Sequence, residues 1–310
     1  MQNIKHNIKL SLVALKIFLL SGMAMGGDNF KFVDKAVWGI FNGPLELSGI
    51  CNVSSNEYAC VSDSGGKIYS FFIDDTKLDS PDYVPLAESF KLIQEDAGFD
   101  LEGCVYVDNA IFSIDESNST IKVLYPRDGA FVSVPLHIRN FKPNCGFESL
   151  AYYPSKKLFV TCTEQAMYGV PPRQVKLIFF TMDIKKRKCK IMYEIPYLID
   201  EFYGINVYRN GVSDLYVWDE TTLLVVERAT DLDGRIPSTR IRIYAVKLND
   251  LDKSFTDNSL EKQLVYEYES KIVPANIEGI CRIPKTNKLI AVHDLPGLCV
   301  VGLLGVEATE

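Results

Sequence analysis

A chain of 310 residues, 47% hydrophobic and 24% charged, with 20 Gly and 14 Pro, is long enough to bury a full core. That balance excludes a disordered, collagenous or coiled-coil protein. The 33 Lys and Arg against 40 Asp and Glu leave a formal charge of −7, which repels a phosphate backbone, argues against nucleic acid as a partner and suits a cation.

Residues 1–26 read as a signal peptide. Lys5 and Lys9 precede the apolar stretch Leu10 to Leu20, and Ala24-Met25-Gly26 fits a small-x-small cleavage site before Gly27. Lys16 interrupts the apolar run, which disfavours a membrane anchor, since a span needs about 20 largely uncharged residues. The expectation is a secreted or periplasmic protein with no membrane span after cleavage and one domain over 27–310. A frayed or buried N-terminal helix is the alternative.

Beyond this segment one unit repeats five times. Its copies are LSGICNVSSNEYACVSDSG from Leu47, LEGCVYVDNAIFSIDES from Leu101, FESLAYYPSKKLFVTCTEQ from Phe147, VSDLYVWDETTLLVVERA from Val212 and IEGICRIPKTNKLIAVHDL from Ile277. Each starts near an acid or Ser, runs apolar, turns through polar residues, and runs apolar again to an acid. The runs are short, alternating and rich in β-branched and aromatic residues, a strand pattern. Further strand-like runs follow: Lys67 to Ile73 and Ser89 to Ile93, Val175 to Met182 and Cys189 to Ile195, and Arg240 to Leu248 and Gln263 to Tyr268. The last unit is followed only by Leu298 to Leu304, while Phe30 to Phe41 has no unit of its own.

Four antiparallel strands recurring every 46 to 65 residues describe an all-β propeller. Five blades are favoured, closed by an N-terminal strand that pairs with the last run; a sixth, degenerate blade in the long gap between Glu164 and Ser213 is the alternative.

The cysteines add little chemistry. All eight follow the signal segment, and no CxxC supports a zinc site. Cys51 and Cys60 flank a hairpin turn and form the most plausible local disulfide, whereas Cys51, Cys104 and Cys281, each just after a Gly, read as small hydrophobes. Asn52-Val53-Ser54 and Asn118-Ser119-Thr120 are glycosylation sequons.

The repeated polar positions carry the functional argument. The start of one strand and the end of its antiparallel partner meet at one end of the pair. The starts are Ser48, Glu102, Glu148, Ser213 and Glu278; the ends are Asp63, Asp115, Glu164, Glu227 and Asp294. Radial blades would gather both sets at one mouth of a central channel. Glu46, Asp100 and Asn276 share a strand face with the starts by period-two spacing, and Asp214 adds a carboxylate. An all-oxygen cluster suits a hard cation, calcium first and magnesium second. The proposed metal set is Asp63, Glu102, Asp115, Glu148, Glu164, Asp214, Glu227, Glu278 and Asp294. The bland reading is that these acids end strands and cap turns. His293, next to Asp294, is a candidate base or substrate-binding group, Arg228, next to Glu227, is a candidate to hold a phosphate, and Glu278 completes the catalytic candidates; a satisfied structural His and an Arg paired to acids are the alternatives. GxSxG, HExxH, GxxxxGK[ST] and GxGxxG motifs are absent.

These segments resemble the phytase-like propeller family, described as esterase-like activity of phytase. The resemblance rests on Leu101-Glu102-Gly103, on Val212-Ser213-Asp214-Leu215 with Val225-Val226-Glu227-Arg228, and on Asn276-Ile277-Glu278-Gly279. It runs from about Glu46 to Asp294. Leu47-Ser48-Gly49-Ile50 with Ser62-Asp63, and Gly146-Phe147-Glu148-Ser149-Leu150, also resemble calcium-binding bacterial envelope propellers. The resemblance implies export, a propeller, an acidic calcium channel and hydrolysis of a small-molecule ester or phosphoester. The alternative function is a non-catalytic, calcium-stabilised binding or scaffold propeller that meets an envelope protein. Ser at positions 48 and 213 thins the acid ring.

Overall fold

The computed structural model describes residues 30–34, 39–42, 46–77, 90–96, 98–126, 129, 131–202, 209–231, 238–248, 260–270, 276–295 and 298–308. The expected signal segment lies outside them. Five antiparallel sheets account for nearly all of the described chain.

The N-terminal strands are β1 (Phe30–Asp34) and β2 (Gly39–Asn42). Blade 1 holds β3 (Leu47–Asn52), β4 (Glu57–Ser62), β5 (Ile68–Phe72) and β6 (Lys91–Gln94). Blade 2 holds β7 (Leu101–Val107), β8 (Ala110–Asp115), β9 (Thr120–Leu124) and β10 (Phe131–Pro135). Blade 3 is β11 (Ala151–Tyr153), β12 (Leu158–Cys162), β13 (Gln174–Asp183) and β14 (Lys188–Leu198). Blade 4 is β15 (Arg209–Val217), β16 (Thr222–Asp231), β17 (Ser238–Lys247) and β18 (Lys262–Ser270). Blade 5 is β19 (Asn276–Arg282), β20 (Lys288–Leu295) and β21 (Leu298–Ala308), completed by β1. The stretch between Glu164 and Ser213 thus holds the two outer strands of blade 3 rather than a sixth blade.

Closure combines the chain's two ends. The outer edge of β21 pairs with β2 through Leu298–Val301 and with β1 through Leu304–Ala308. A sheet edge that would invite association is covered this way, and Phe32 buries its ring beside Leu224, Ile241 and Leu304.

Each blade is sandwiched between neighbours, so most strands bury both faces. Leu101, Ile111 and Cys104 pack blade 2 on blade 1, and Phe147, Phe112 and Phe180 join blades 2 and 3. Val212, Leu177 and Tyr197 join blades 3 and 4; Ile277, Val226 and Ile243 join blades 4 and 5; Leu47, Val292 and Phe71 close the ring. In β16 every side chain from Thr222 to Ala229 is buried. Such a strand reads as a continuous apolar run, without the alternation that marks a half-exposed sheet.

The innermost strands crowd the axis. A Cβ placed on Gly103 would lie 2.5 Å from Leu150 N and 2.6 Å from Ser149 Cα, and one on Gly49 would lie 2.9 Å from Cys104 N. Those neighbours are backbone, so only glycine allows the approach.

The expected Cys51–Cys60 disulfide is absent. Cys60 lies opposite Ile50, which sets its side chain on the other face of the sheet from Cys51. Cys51 packs toward blade 2 and Cys60 toward blade 5. Cys51, Cys104 and Cys281 are buried among apolar side chains. No helix among the described residues is long and apolar enough to cross a membrane.

Candidate functional site

The site begins with a slip in the ladder. The pairing of the first two strands shifts between Leu47 and Gly49, Leu101 and Cys104, Val212 and Asp214, and Ile277 and Gly279. In blade 3 the same place is an isolated bridge, Phe147 to Thr163. The ladder leaves out Ser48, Ser213 or Glu278 in blades 1, 4 and 5 and Glu102 with Gly103 in blade 2, with Glu148 in the corresponding place in blade 3. A bulge of this kind re-aims the extra side chain. The residue before it, Leu47, Leu101, Phe147, Val212 or Ile277, packs on the preceding blade.

This slip corrects the expected gathering of all five strand-end acids. Opposite Leu47, Leu101, Phe147, Val212 and Ile277 stand Ser62, Asp115, Thr163, Glu227 and His293. Directly opposed residues share a face, so these five turn toward the preceding blade. The next residues, Asp63, Glu116, Glu164, Arg228 and Asp294, take the mouth position. Their backbone confirms the equivalence: Asp63 N donates to Glu46 O at 3.2 Å, Glu116 N to Asp100 O at 3.0 Å and Glu164 N to Gly146 O at 2.7 Å. Arg228 pairs with Gly211 and Asp294 with Asn276. The Asp294 side chain lies outside the described residues.

Asp115 and Glu227 therefore serve blade interfaces. Asp115, fully buried, pairs with Lys122 at 3.0 Å and accepts from Asn118 Nδ2 at 2.9 Å. Lys122 sits 3.7 Å above the Phe99 ring. Glu227 accepts from Tyr197 Oη at 2.6 Å, Lys262 Nζ at 2.8 Å and Asp200 N at 3.0 Å. His293 is fully buried, and burial lowers its pKa to about 3, so it is neutral in the folded protein and lies on the Ile277 face rather than at the mouth. Asp214 accepts from Ile280 N at 2.7 Å and ties blade 4 to blade 5; burial raises its pKa well above the ordinary value.

What the fold does bring together is Glu102, Glu148, Glu164, Glu278 and Arg228, with Asp63, Asp100 and Glu116 beside them. The Arg228 guanidinium is buried. It donates through Nη1 to Glu278 and through Nη2 to Glu164 at 2.9 Å, and lies 3.6 Å from Glu148. Burial opposes its charge, but Glu278, Glu164 and Glu148 more than reverse that and hold its pKa above the usual value. Asn276 Nδ2 also donates to Glu278.

At the mouth end of blade 2, oxygens of Asp100, Glu102 and Glu116 lie within 4.8 Å of one another. Ser117 Oγ donates to Asp100 at 2.8 Å, and Gly146 N donates to Glu116 at 2.6 Å. Glu102 is 6% exposed, and among the described residues its carboxylate has no hydrogen-bond donor or ion-pair partner. Burial raises its pKa well above 4.5, and Glu148, Glu278, Asp63 and Asp100 raise it further. The Glu148 pKa is raised by burial, Glu164, Glu278 and Glu116, against partial relief from Arg228. Seven carboxylates thus converge on one guanidinium among the described residues. Hard oxygen donors without His or thiol fit calcium better than a transition metal.

Glu116 escapes a reading of the sequence because the bulge is silent there. Counting outward from the Asp108-Asn109 turn, where Val107 faces Ala110, an unbroken ladder sets Glu102 opposite Asp115. The slip moves Asp115 opposite Leu101 and gives the mouth to Glu116. Gly103 is the sole local signal.

Among curated proteins the sequence finds no match. Of solved structures, a structural-genomics protein from Bacteroides thetaiotaomicron aligns at 10% identity and TM-score 0.45, over 90% of this chain and 73% of that one. The PQQ-bound aldose sugar dehydrogenase of Streptomyces coelicolor aligns at 12% identity and TM-score 0.42, over 89% of this chain and 100% of that one. Likenesses this distant carry no functional argument. The phytase-like family model, described as esterase-like activity of phytase, matches residues 45–294, so the chain belongs to that family.

Proposed function

We propose that this protein is an exported cation-binding propeller whose channel mouth takes calcium, with magnesium second, in the service of phosphoester or ester hydrolysis. One observation carries the cation reading. Glu102 is a buried carboxylate with no donor among the described residues and with like charges around it, an arrangement that favours a proton or a cation. The residues fit an ion: Asp63, Asp100, Glu102 and Glu116 would hold it, with no sulfur or imidazole in the set. When bound, it supplies Lewis-acid neutralisation of a phosphoryl or carbonyl oxygen. The chain's own groups contribute separately. Glu148, with its raised pKa, can hold and release a proton at its carboxyl oxygens, while Arg228 orients Glu164 and Glu278.

Hydrolysis rests on membership of the family. A non-catalytic binding or scaffold role has its own support: His293 is buried away from the mouth, and Arg228 is committed to three carboxylates. The deciding experiment strips the metal from residues 27–310 and restores calcium while following the melting temperature and the hydrolysis of phosphate and carboxylic esters. Binding to the folded state raises the melting temperature with ion concentration. Turnover that returns with calcium and disappears in Glu102→Gln supports the hydrolase. Stabilisation without turnover selects the binding module, and no response to calcium or magnesium removes the cation reading.

A further inference from the structure

The mouth is electrically lopsided. Five blades offer one equivalent position each, and four of them carry an acid there while blade 4 carries Arg228. Blade 4 is also one of the two blades whose bulge residue is Ser rather than Glu. The guanidinium is drawn wholly to one side, to Glu278, Glu164 and Glu148. On the adjoining blades 1 and 2 stand Asp63, Asp100, Glu102 and Glu116. Among the described residues no Lys or Arg pairs with Asp100 or Glu102, and Glu102, more than nine-tenths buried, has no donor at all.

We infer that the mouth seats one divalent cation on the side of blades 1 and 2, among Asp63, Asp100, Glu102 and Glu116, and that Arg228 stands in for a second cation on the side of blades 3 to 5. The inference rests on the cation reading above and adds a stoichiometry and the role of Arg228 as a fixed counterion. Its physics is that of like charges: a second dication near Glu164 and Glu278 would lie within a few ångströms of a guanidinium that cannot lose its proton. Removing that fixed charge frees three buried carboxylates, which then need another counterion.

Calorimetric titration of metal-free protein with calcium chloride, paired with melting temperatures, tests this. The wild type binds one equivalent. Asp100→Asn, at a half-buried position, and Glu102→Gln each weaken binding by more than about tenfold. Glu164→Gln, which touches Arg228 rather than the seat, keeps its calcium affinity within about threefold. Arg228→Gln binds two equivalents. Two equivalents in the wild type, or a loss in Glu164→Gln equal to that in Glu102→Gln, overturns the placement. One equivalent in a folded Arg228→Gln overturns the stand-in role, and if that variant does not fold, the contrast between Glu102 and Glu164 still decides the placement. Absence of any binding in the wild type sinks the cation reading itself, a separate failure.

Discussion

Glu102 is held in the folded chain against both burial and repulsion, so its proton is bound more tightly in the native than in the unfolded state. The sign follows from linkage: the stability this proton lends is full below 4.5 and is lost as pH rises through the raised folded value. In metal-free protein, Glu102→Gln therefore gains melting temperature over wild type, and the gain grows as pH climbs above 4.5. The difference between the two proteins is the quantity to read, because His293, with its pKa lowered to about 3 by burial, acts in the opposite sense below 6.5 and cancels. Saturating calcium reverses the order, since the wild type then holds an ion that the amide does not. A gain flat with pH would show that Glu102 titrates normally. Asp115 makes the contrasting case. Truncation to Ala leaves the Lys122 ammonium buried without its carboxylate, a loss of about 3–5 kcal/mol readable by urea denaturation, with calcium affinity unchanged because the side chain faces blade 1.

Among elements, the bulged first strand decides most. It sets Glu102 off the ladder, lets Gly103 N donate to Glu148 O at 2.9 Å, and brings the backbones of blades 2 and 3 almost into contact. Gly103→Ala introduces a methyl against backbone atoms that cannot rotate away. The expected cost is about 1–3 kcal/mol, measured by chemical denaturation, together with weaker calcium binding because Glu102 moves with the strand. Unchanged stability would mean that the two strands part freely. The strands themselves were readable from their apolar runs and polar turns, as were the glycines after the acids. Which strand-end acid meets which partner was not. Both faces of β8 and β16 are buried, so the alternation that ordinarily fixes register is missing, and one unmarked bulge exchanges Asp115 for Glu116 and Glu227 for Arg228.

For the whole molecule, ring closure is the cooperative event. Blade 5 takes its outer strand from the start of the chain, and Phe32 fills the seam with blade 4 at 2% exposure. A chain starting at residue 43 lacks β1 and β2 and presents the full length of β21 as an open edge. Such an edge recruits other strands, so this truncation should elute as associated species in size-exclusion chromatography with light scattering, with a lowered melting temperature. A monomer of unchanged stability would show that the clasp is dispensable.

The repeat itself determined the propeller with five blades favoured, the antiparallel hairpins and an abundance of carboxylates at hairpin ends, because those depend on local pattern and on the closing of short turns. The tertiary structure decided which carboxylates face one another. That choice depends on a register shift of a single residue, which turns Asp115, Glu227 and His293 toward the neighbouring blade and sets Arg228 among the acids. Strand pairing has a period of two, so one residue of slip separates an interface from a mouth.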